Sequence, residues 1–165
     1  MSTTVTETRP IEEAALFNSA FLALLAHRAA EEHERRSSGR ALPTILVYLV
    51  VPLTLHGPTR RALPSNVTAQ MGEWIRAHPE AAVGLGRRAA ALRPYVSAGL
   101  RLGLTHGLLV AETGALRAGA LPRRPRGMSR SAEVDACIDK AGFLGRWLSG
   151  QPDPTTVMAW WGLRP

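Results

Sequence analysis

The stretch GLGRRA at 84–89 fits the spacing G-x-G-x-x-A, in which a tight glycine turn brings a dinucleotide pyrophosphate to a helix N-terminus. That chemistry needs a strand before the glycines, a βαβ unit around them and an acidic residue about 20 positions on to hold the ribose. None of the three accompanies it. His27, Glu31 and His33 share a predicted helix, but only His27 and Glu31 have the i, i+4 spacing that brings two ligands together. They read as a solvated polar face rather than a metal site. His56 and His106 end helical runs, where the negative end of a helix favours a positive group, a structural role. Cys137, the sole cysteine, lies among apolar helix positions, and Asp135 and Asp139 beside it would not depress its pKa. It reads as an inert core thiol. A P-loop lysine motif, G-x-S-x-G and H-E-x-x-H are all missing, and Lys140 is the single lysine. No carboxylate pair and no nucleophile with a base stands out. The expectation is a chain with no catalytic residues, no metal and no cofactor, and so not an enzyme.

The elements that would position any site are mostly helical. ALPTILVYLVVPLTLH, 41–56, is too short for a membrane span, which takes roughly 20 apolar residues. Ile45, Val47, Val50 and Val51 favour strand. The unbroken apolar run, Pro43 as a first helical residue and the HGPT stop favour a buried helix over 43–56, kinked near Pro52. Apolar on every side, it belongs at the centre of the core. Before it, Phe17, Phe21, Leu24 and Leu25 form one helical stripe, with Glu31, Glu32, Arg35 and Arg36 as a solvated end stopped by SSGR. Ser65 is a predicted cap for a helix burying Val67, Met71, Trp74 and Ile75. Leu85, Ala89 and Leu92, then Val96, Leu100 and Leu104, mark a long helix that Pro94 splits or bends. LLVAETGALRAG predicts a hairpin turning at ETG. Val134, Ile138, Ala141 and Leu148 mark a C-terminal helix, with Gly150 at its C-cap region and a turn and short apolar tail beyond. Residues 1–10 read as a disordered N-terminus and 11–165 as a single helical domain, interrupted by a basic linker at 121–130.

Charge is uneven along the chain. Residues 1–80 carry eight Arg and eight Glu. Residues 81–130 carry nine Arg against Glu112 alone, a net +8, and the remainder nets −1, which gives the chain its +7. The abundance of Ala and of Arg over Lys fits a GC-rich genome, but that does not explain the lack of acids. Arg87, Arg88, Arg93, Arg101, Arg117, Arg123, Arg124 and Arg126 therefore form either a solvated face or a surface for an anionic partner, nucleic acid or acidic protein. Trp147, Trp160 and Trp161 near the C-terminus either cap the core or dock a partner. The order helix, helix, helix, hairpin over 66–119 is that of a winged helix-turn-helix. In that reading the helix after Pro94 is the recognition helix, Arg93 and Arg101 reach phosphates, and Arg117 sits on the wing. The fold class is thus mainly α: a compact, winged-helix-like helical domain with one β-hairpin, plus a C-terminal helix and tail.

Three stretches taken together, LFNSAFLALLAHRA at 16–29, LPTILVYLVVPLTLHGPTRRALP at 42–64 and FLGRWLSGQPDPTTVMAWWGLRP at 143–165, resemble one family. MGEWIRAHPEAAVGLGRRAAALRPYVSAGLRLGLTHGLL falls between them in the right order. The family is the middle component of bacterial three-component ABC systems, related to Lamassu-type antiphage defence. The resemblance covers about residues 11–165, and the ordered motifs with the WGLRP ending make it fairly specific. Ser19 departs from the proline expected after Asn18, a replaceable start-of-helix position. The resemblance implies a small cytoplasmic, non-enzymatic adaptor beside an ABC or SMC-like ATPase and a separate effector, with no catalytic residues to carry over. A winged-helix DNA-binding protein or transcriptional regulator is the alternative. The two are compatible, since an adaptor can also touch DNA held by its ATPase.

Overall fold

The computed structural model describes residues 18–123, 127 and 129–164. The expected disordered segment 1–10 lies outside them, as do Phe17 and part of the basic linker. Helix α1 (Ser19–Arg36) opens where the Asn18 side-chain oxygen accepts the Ala20 N–H at 2.8 Å, satisfying a donor with no partner inside the helix. It closes as Ser38 turns left-handed, with φ 58°, and the Gly39 N–H returns to the Glu34 carbonyl at 2.8 Å. Its buried row is Leu22, Leu25, Ala26, Ala29 and Ala30, with Phe21 and Leu24 half-buried at the margin. The predicted stripe is therefore rotated toward smaller residues, because α1 packs between two other helices and not over one.

The oily stretch begins as a strand. β1 (Leu42–Pro43) leads into a 3-10 turn, Thr44–Leu46, and then helix α2 (Val47–Leu55). Pro43 is thus not the first helical residue. It cannot donate to a ladder, which suits an edge strand, and β1 lies at one edge of the sheet order β1-β3-β2. The helix then continues through Pro52, and Val47, Leu49, Val50, Val51 and Leu53 are at most 1% exposed. The helix is covered on most sides, with Tyr48 and Leu55 half-buried.

Two short helices follow, α3 (Gly57–Ala62) and α4 (Met71–Ala77). Ser65 does not cap α4, which starts six residues later after Gln70. The preceding loop is held instead by Asn66, whose side-chain oxygen accepts the Thr68 N–H at 3.1 Å and its hydroxyl at 2.5 Å. Helix α5 (Leu85–Thr105) runs 21 residues with Pro94 inside it. Pro94 and Ala90, one turn earlier, are both exposed, so the carbonyl left without a donor sits on the solvated side and the helix is not split.

The predicted hairpin is present as β2 (Leu109–Glu112) and β3 (Ala115–Ala118), antiparallel, with Gly114 at φ 69° in the turn. β1 adds the third strand, pairing Leu42 with Leu116. Helix α6 (Ala132–Leu148) is capped by Ser131, whose hydroxyl accepts the Val134 N–H at 3.3 Å. The expected apolar tail is a further helix, α7 (Pro154–Trp160), capped by Asp153 and started by proline. Gly162, φ 71°, reverses the chain so that the Leu163 N–H bonds the Met158 carbonyl at 2.9 Å and the Leu163 side chain is buried. That reversal explains the WGL of the ending.

Helix α1 is the axis of the molecule, with α6 on one side and α5 on another, α2 beneath all three and the sheet across its C-terminal half. One contiguous core runs from Leu22 to Leu163. Two glycines set the spacing. A Cβ on Gly145 of α6 would lie 2.2 Å from the Ala29 carbonyl oxygen, and one on Gly99 of α5 would lie 2.9 Å from the Leu22 Cβ. The helix backbones touch there, so no side chain can be added without moving a helix. Gly145→Ala is expected to cost about 3 kcal/mol or more by overpacking. Gly150→Ala, in open space, serves as the neutral control, and urea unfolding monitored by tryptophan fluorescence reads both.

Candidate functional site

The chemistry-bearing residues of the sequence take structural posts. Gly84 of GLGRRA is the N-cap of α5, with φ 70°, and a 3-10 turn, Pro79–Ala81, precedes it where a dinucleotide site needs a strand. Cys137 is fully buried in α6, its Sγ 3.8 Å from the Thr54 carbonyl oxygen, and burial pushes the thiol pKa up. His27, Glu31 and His33 do not form a solvated face. His27 is 2% and His33 4% exposed, because the sheet and the turn after α1 fold over them. His27 Nε2 donates to the Gly119 carbonyl at 2.9 Å and His33 Nδ1 to the Arg40 carbonyl at 3.0 Å. Burial, more than the neighbouring charges, keeps the His33 pKa low. No cluster of three metal-ligating side chains occurs among the described residues.

His56 is likewise not a positive group at a helix end. It joins α2 to α3, and its Nδ1 accepts the Thr59 N–H at 3.3 Å and lies 2.7 Å from the Thr59 hydroxyl. Burial first, and then Arg88, Arg60 and Arg61, lower its pKa, which keeps the neutral, accepting ring. His106 is the exposed C-cap of α5.

Glu32, placed in the predicted solvated end of α1, is 4% exposed. Its carboxylate is held by Arg28 at 2.9 Å, Arg35 at 2.7 Å and, from α6, Arg146 at 2.9 Å. Sequence spacing contains the first two pairs, whereas the third arises from helix packing 114 residues apart.

The eight arginines singled out in the sequence do not make one patch. Arg117 is neutralised: it meets Glu112 and Glu34 and donates to the Gly39 carbonyl at 2.7 Å. Its pKa is raised, mainly by the Glu112 hydrogen bond. Arg88 turns back along α5 to the Val83 carbonyl at 2.9 Å. Arg87, Arg101 and Arg123 are exposed, while Arg124 and Arg126 lie outside the described residues. Arg93 stands at a recess.

That recess is a groove of about 720 Å³, open to solvent. One wall is the face of α5 that carries Gly86, Ala89, Ala90, Arg93 and Ser97, recurring at helical spacing. Opposite stand Thr44 and Ile45 of the 3-10 turn and Tyr48 of α2, with Gly114 of the hairpin turn at one end. Met158, Gly162, Leu163 and Arg164 of the C-terminal reversal complete it. The Tyr48 and Ser97 hydroxyls share a hydrogen bond of 2.8 Å across it. No acidic residue lines it. Sequence reading found Arg93 but not Tyr48, Ser97 or Arg164. The available signal was Arg164 inside the WGLRP ending, though nothing local ties it to α5.

Of the three tail tryptophans, Trp147 and Trp161 are each 1% exposed and cannot present a ring to a partner. Trp147 donates to the Ala69 carbonyl at 2.7 Å, and both rings gather on Trp74, at 5.9 and 6.2 Å. α4, α6 and α7 meet in this aromatic cluster, which is why the rings turn inward. Trp160 is 39% exposed, lying against Gly72 of α4.

These observations define a class: a mainly helical body with a small antiparallel sheet and a solvent-open groove flanked by arginines. The chain belongs to the family ABC-three component (ABC-3C) system Middle Component 3, whose model matches residues 6–165. Comparison with curated proteins and with solved structures gave no match. The chain is therefore a middle component of a three-component ABC system. No helix among the described residues is long and apolar enough to cross a membrane.

The Glu32 cluster yields a pH prediction. Burial raises the Glu32 pKa, but the Arg146 hydrogen bond and the charges of Arg28, Arg35 and Arg146 outweigh it, so the folded value lies below the ordinary 4.5. A depressed carboxyl pKa contributes stability that is fully present above 4.5 and is lost as pH falls through the folded value. Glu32→Gln should lower stability at pH 7 and flatten the decline below pH 4.5, read from denaturant midpoints across that range.

Proposed function

We propose that this middle component is a non-enzymatic adaptor, linking an ABC or SMC-like ATPase to an effector within a bacterial conflict system of the Lamassu-related, antiphage kind, in the cytoplasm. Family membership supports the three-component ABC setting of this reading. The observation that supports the adaptor role is the groove. Four separate stretches of the chain build a solvent-open recess with an apolar lining and cationic flanks, which suits contact with a partner chain. The residues most suited to chemistry, Cys137, His27 and His33, are spent on the core. Co-expression of the three components should retain the ATPase on the tagged chain through size-exclusion chromatography. Turnover of a substrate by the purified chain alone, lost on changing one side chain without loss of fold, would overturn the adaptor reading.

A second reading, a winged-helix DNA-binding module, draws on the strand order. β1 follows α1 and pairs with β3, and α5 feeds directly into the β2–β3 wing. On this reading the part of α5 after Pro94, continuous with the rest of the helix, would serve as the recognition helix, and Arg101 on it is exposed. On this reading the purified chain binds duplex DNA with an affinity that falls steeply with salt, and Arg101→Ala weakens it about equally across sequences. Fluorescence anisotropy at about 50 and about 200 mM salt, a roughly fourfold change, measures both.

A further inference from the structure

We propose that the groove between α2, α5 and the C-terminal reversal docks a short acidic segment of a partner protein. The segment would lay apolar side chains on Ile45, Met158 and Leu163 while its carboxylates reach Arg93 and Arg164. The inference rests on the adaptor reading and names the surface and the chemistry of what it receives.

Charge complementarity argues for that occupant. Most arginines beside the core have an assigned acid: Arg28, Arg35 and Arg146 hold Glu32, Arg60 holds Glu133, and Arg117 holds Glu34 and Glu112. Arg93 and Arg164 have no hydrogen-bond or ion-pair partner among the described residues, though both line the same recess. Guanidinium groups at the rim of an apolar recess recognise carboxylates bidentately, in a setting drier than open surface. The hydroxyl pair of Tyr48 and Ser97 adds polar atoms that can meet the backbone of an entering segment.

The lining favours a protein segment over nucleic acid. A phosphate backbone is tracked by rows of exposed cations and needs little apolar surface. Here the cations flank Ile45, Met158, Leu163, Ala89 and Ala90, an apolar bed that side chains can fill and phosphates cannot. The volume, about 720 Å³, falls within the range of pockets that enclose a ligand and suits a few residues, not a whole domain. The groove also depends on the completed fold, since α7 and the Gly162 reversal place Leu163 and Arg164 against α5.

The test uses the full chain co-expressed with the other two components of its system. Arg93→Glu removes and reverses one flank, and Ala90→Trp fills the bed from an exposed position. Arg76→Glu, exposed on α4 and outside the groove, is the control. Both groove variants should keep the wild-type melting temperature and the control its affinity, while binding of one partner component falls about 10-fold or more, as for an arginine at an interface centre. Binding of that component should also weaken with added salt, and cross-linking should place an acidic partner residue beside Arg93. If the wild-type chain retains neither component, the adaptor reading fails, and this proposal with it. If it retains one and both groove variants do so equally, the groove proposal alone fails. A loss confined to duplex DNA binding, or a change in the chain's own oligomeric mass on Ala90→Trp, would assign the groove to nucleic acid or to a second copy and overturn the proposal.

Discussion

The contact between the backbones of α1 and α6 at Ala29 and Gly145 constrains everything else. With no Cβ at Gly145, the α6 backbone rests on the Ala29 carbonyl, and the rotation of α6 about its axis is then fixed. That rotation carries Arg146 to Glu32, Trp147 to the Ala69 carbonyl and Cys137 to the Thr54 carbonyl. Each contact joins α6 to a different part of the chain. Trp147 then orders α4 and α7 through the aromatic cluster, and α7 delivers the C-terminal reversal to the side of α5. The groove is thus a distant consequence of one residue that lacks a side chain. Gly99 plays the matching part on the other flank, seating α5 against the start of α1.

Charge is partitioned by the same packing. Several arginines near the core are held by carboxylates, as a buried ion needs partners to offset lost hydration, whereas half-buried Arg88 reaches only the Val83 carbonyl. Glu32 receives three, from its own helix and from α6. Arg60 is 4% exposed, donates to the Thr54 carbonyl at 2.6 Å and meets Glu133. Arg87, Arg93 and Arg101 along α5 and Arg164 at the groove have no such assignment among the described residues. Linear counting placed the excess in 81–130, yet Arg117, within that segment, is spent on the hairpin, and Arg164, outside it, lies at the groove.

Much of the architecture was legible. The oily stretch read as a core helix because its sides are apolar all round, and the hairpin read from ETG because glycine there permits φ 69°. The misreadings share one cause. Ser65, Glu32 and the apolar tail were judged from near neighbours, whereas their states follow from distant ones. Glu32 looks solvated until α6 covers it, and QPDPTTVMAWW looks like a loose tail until Trp74 and Trp147 give its rings a place to pack. β1 was missed because two residues carry no periodicity, and pairing with Leu116 and Ala115 alone makes them a strand.

The sequence by itself determined the helical character, the hairpin, the central oily helix and the concentration of arginine, together with motifs that place the chain among middle components of three-component ABC systems. Those features depend on propensity, capping and apolar periodicity, which act over a few residues. Only the tertiary structure decided which arginines are spent and which are free, which tryptophans are buried, and that Tyr48, Arg93, Ser97 and Arg164 share one groove. Those outcomes depend on where helices cross, and crossings are set by close packing between residues far apart in the chain, a quantity no local pattern encodes.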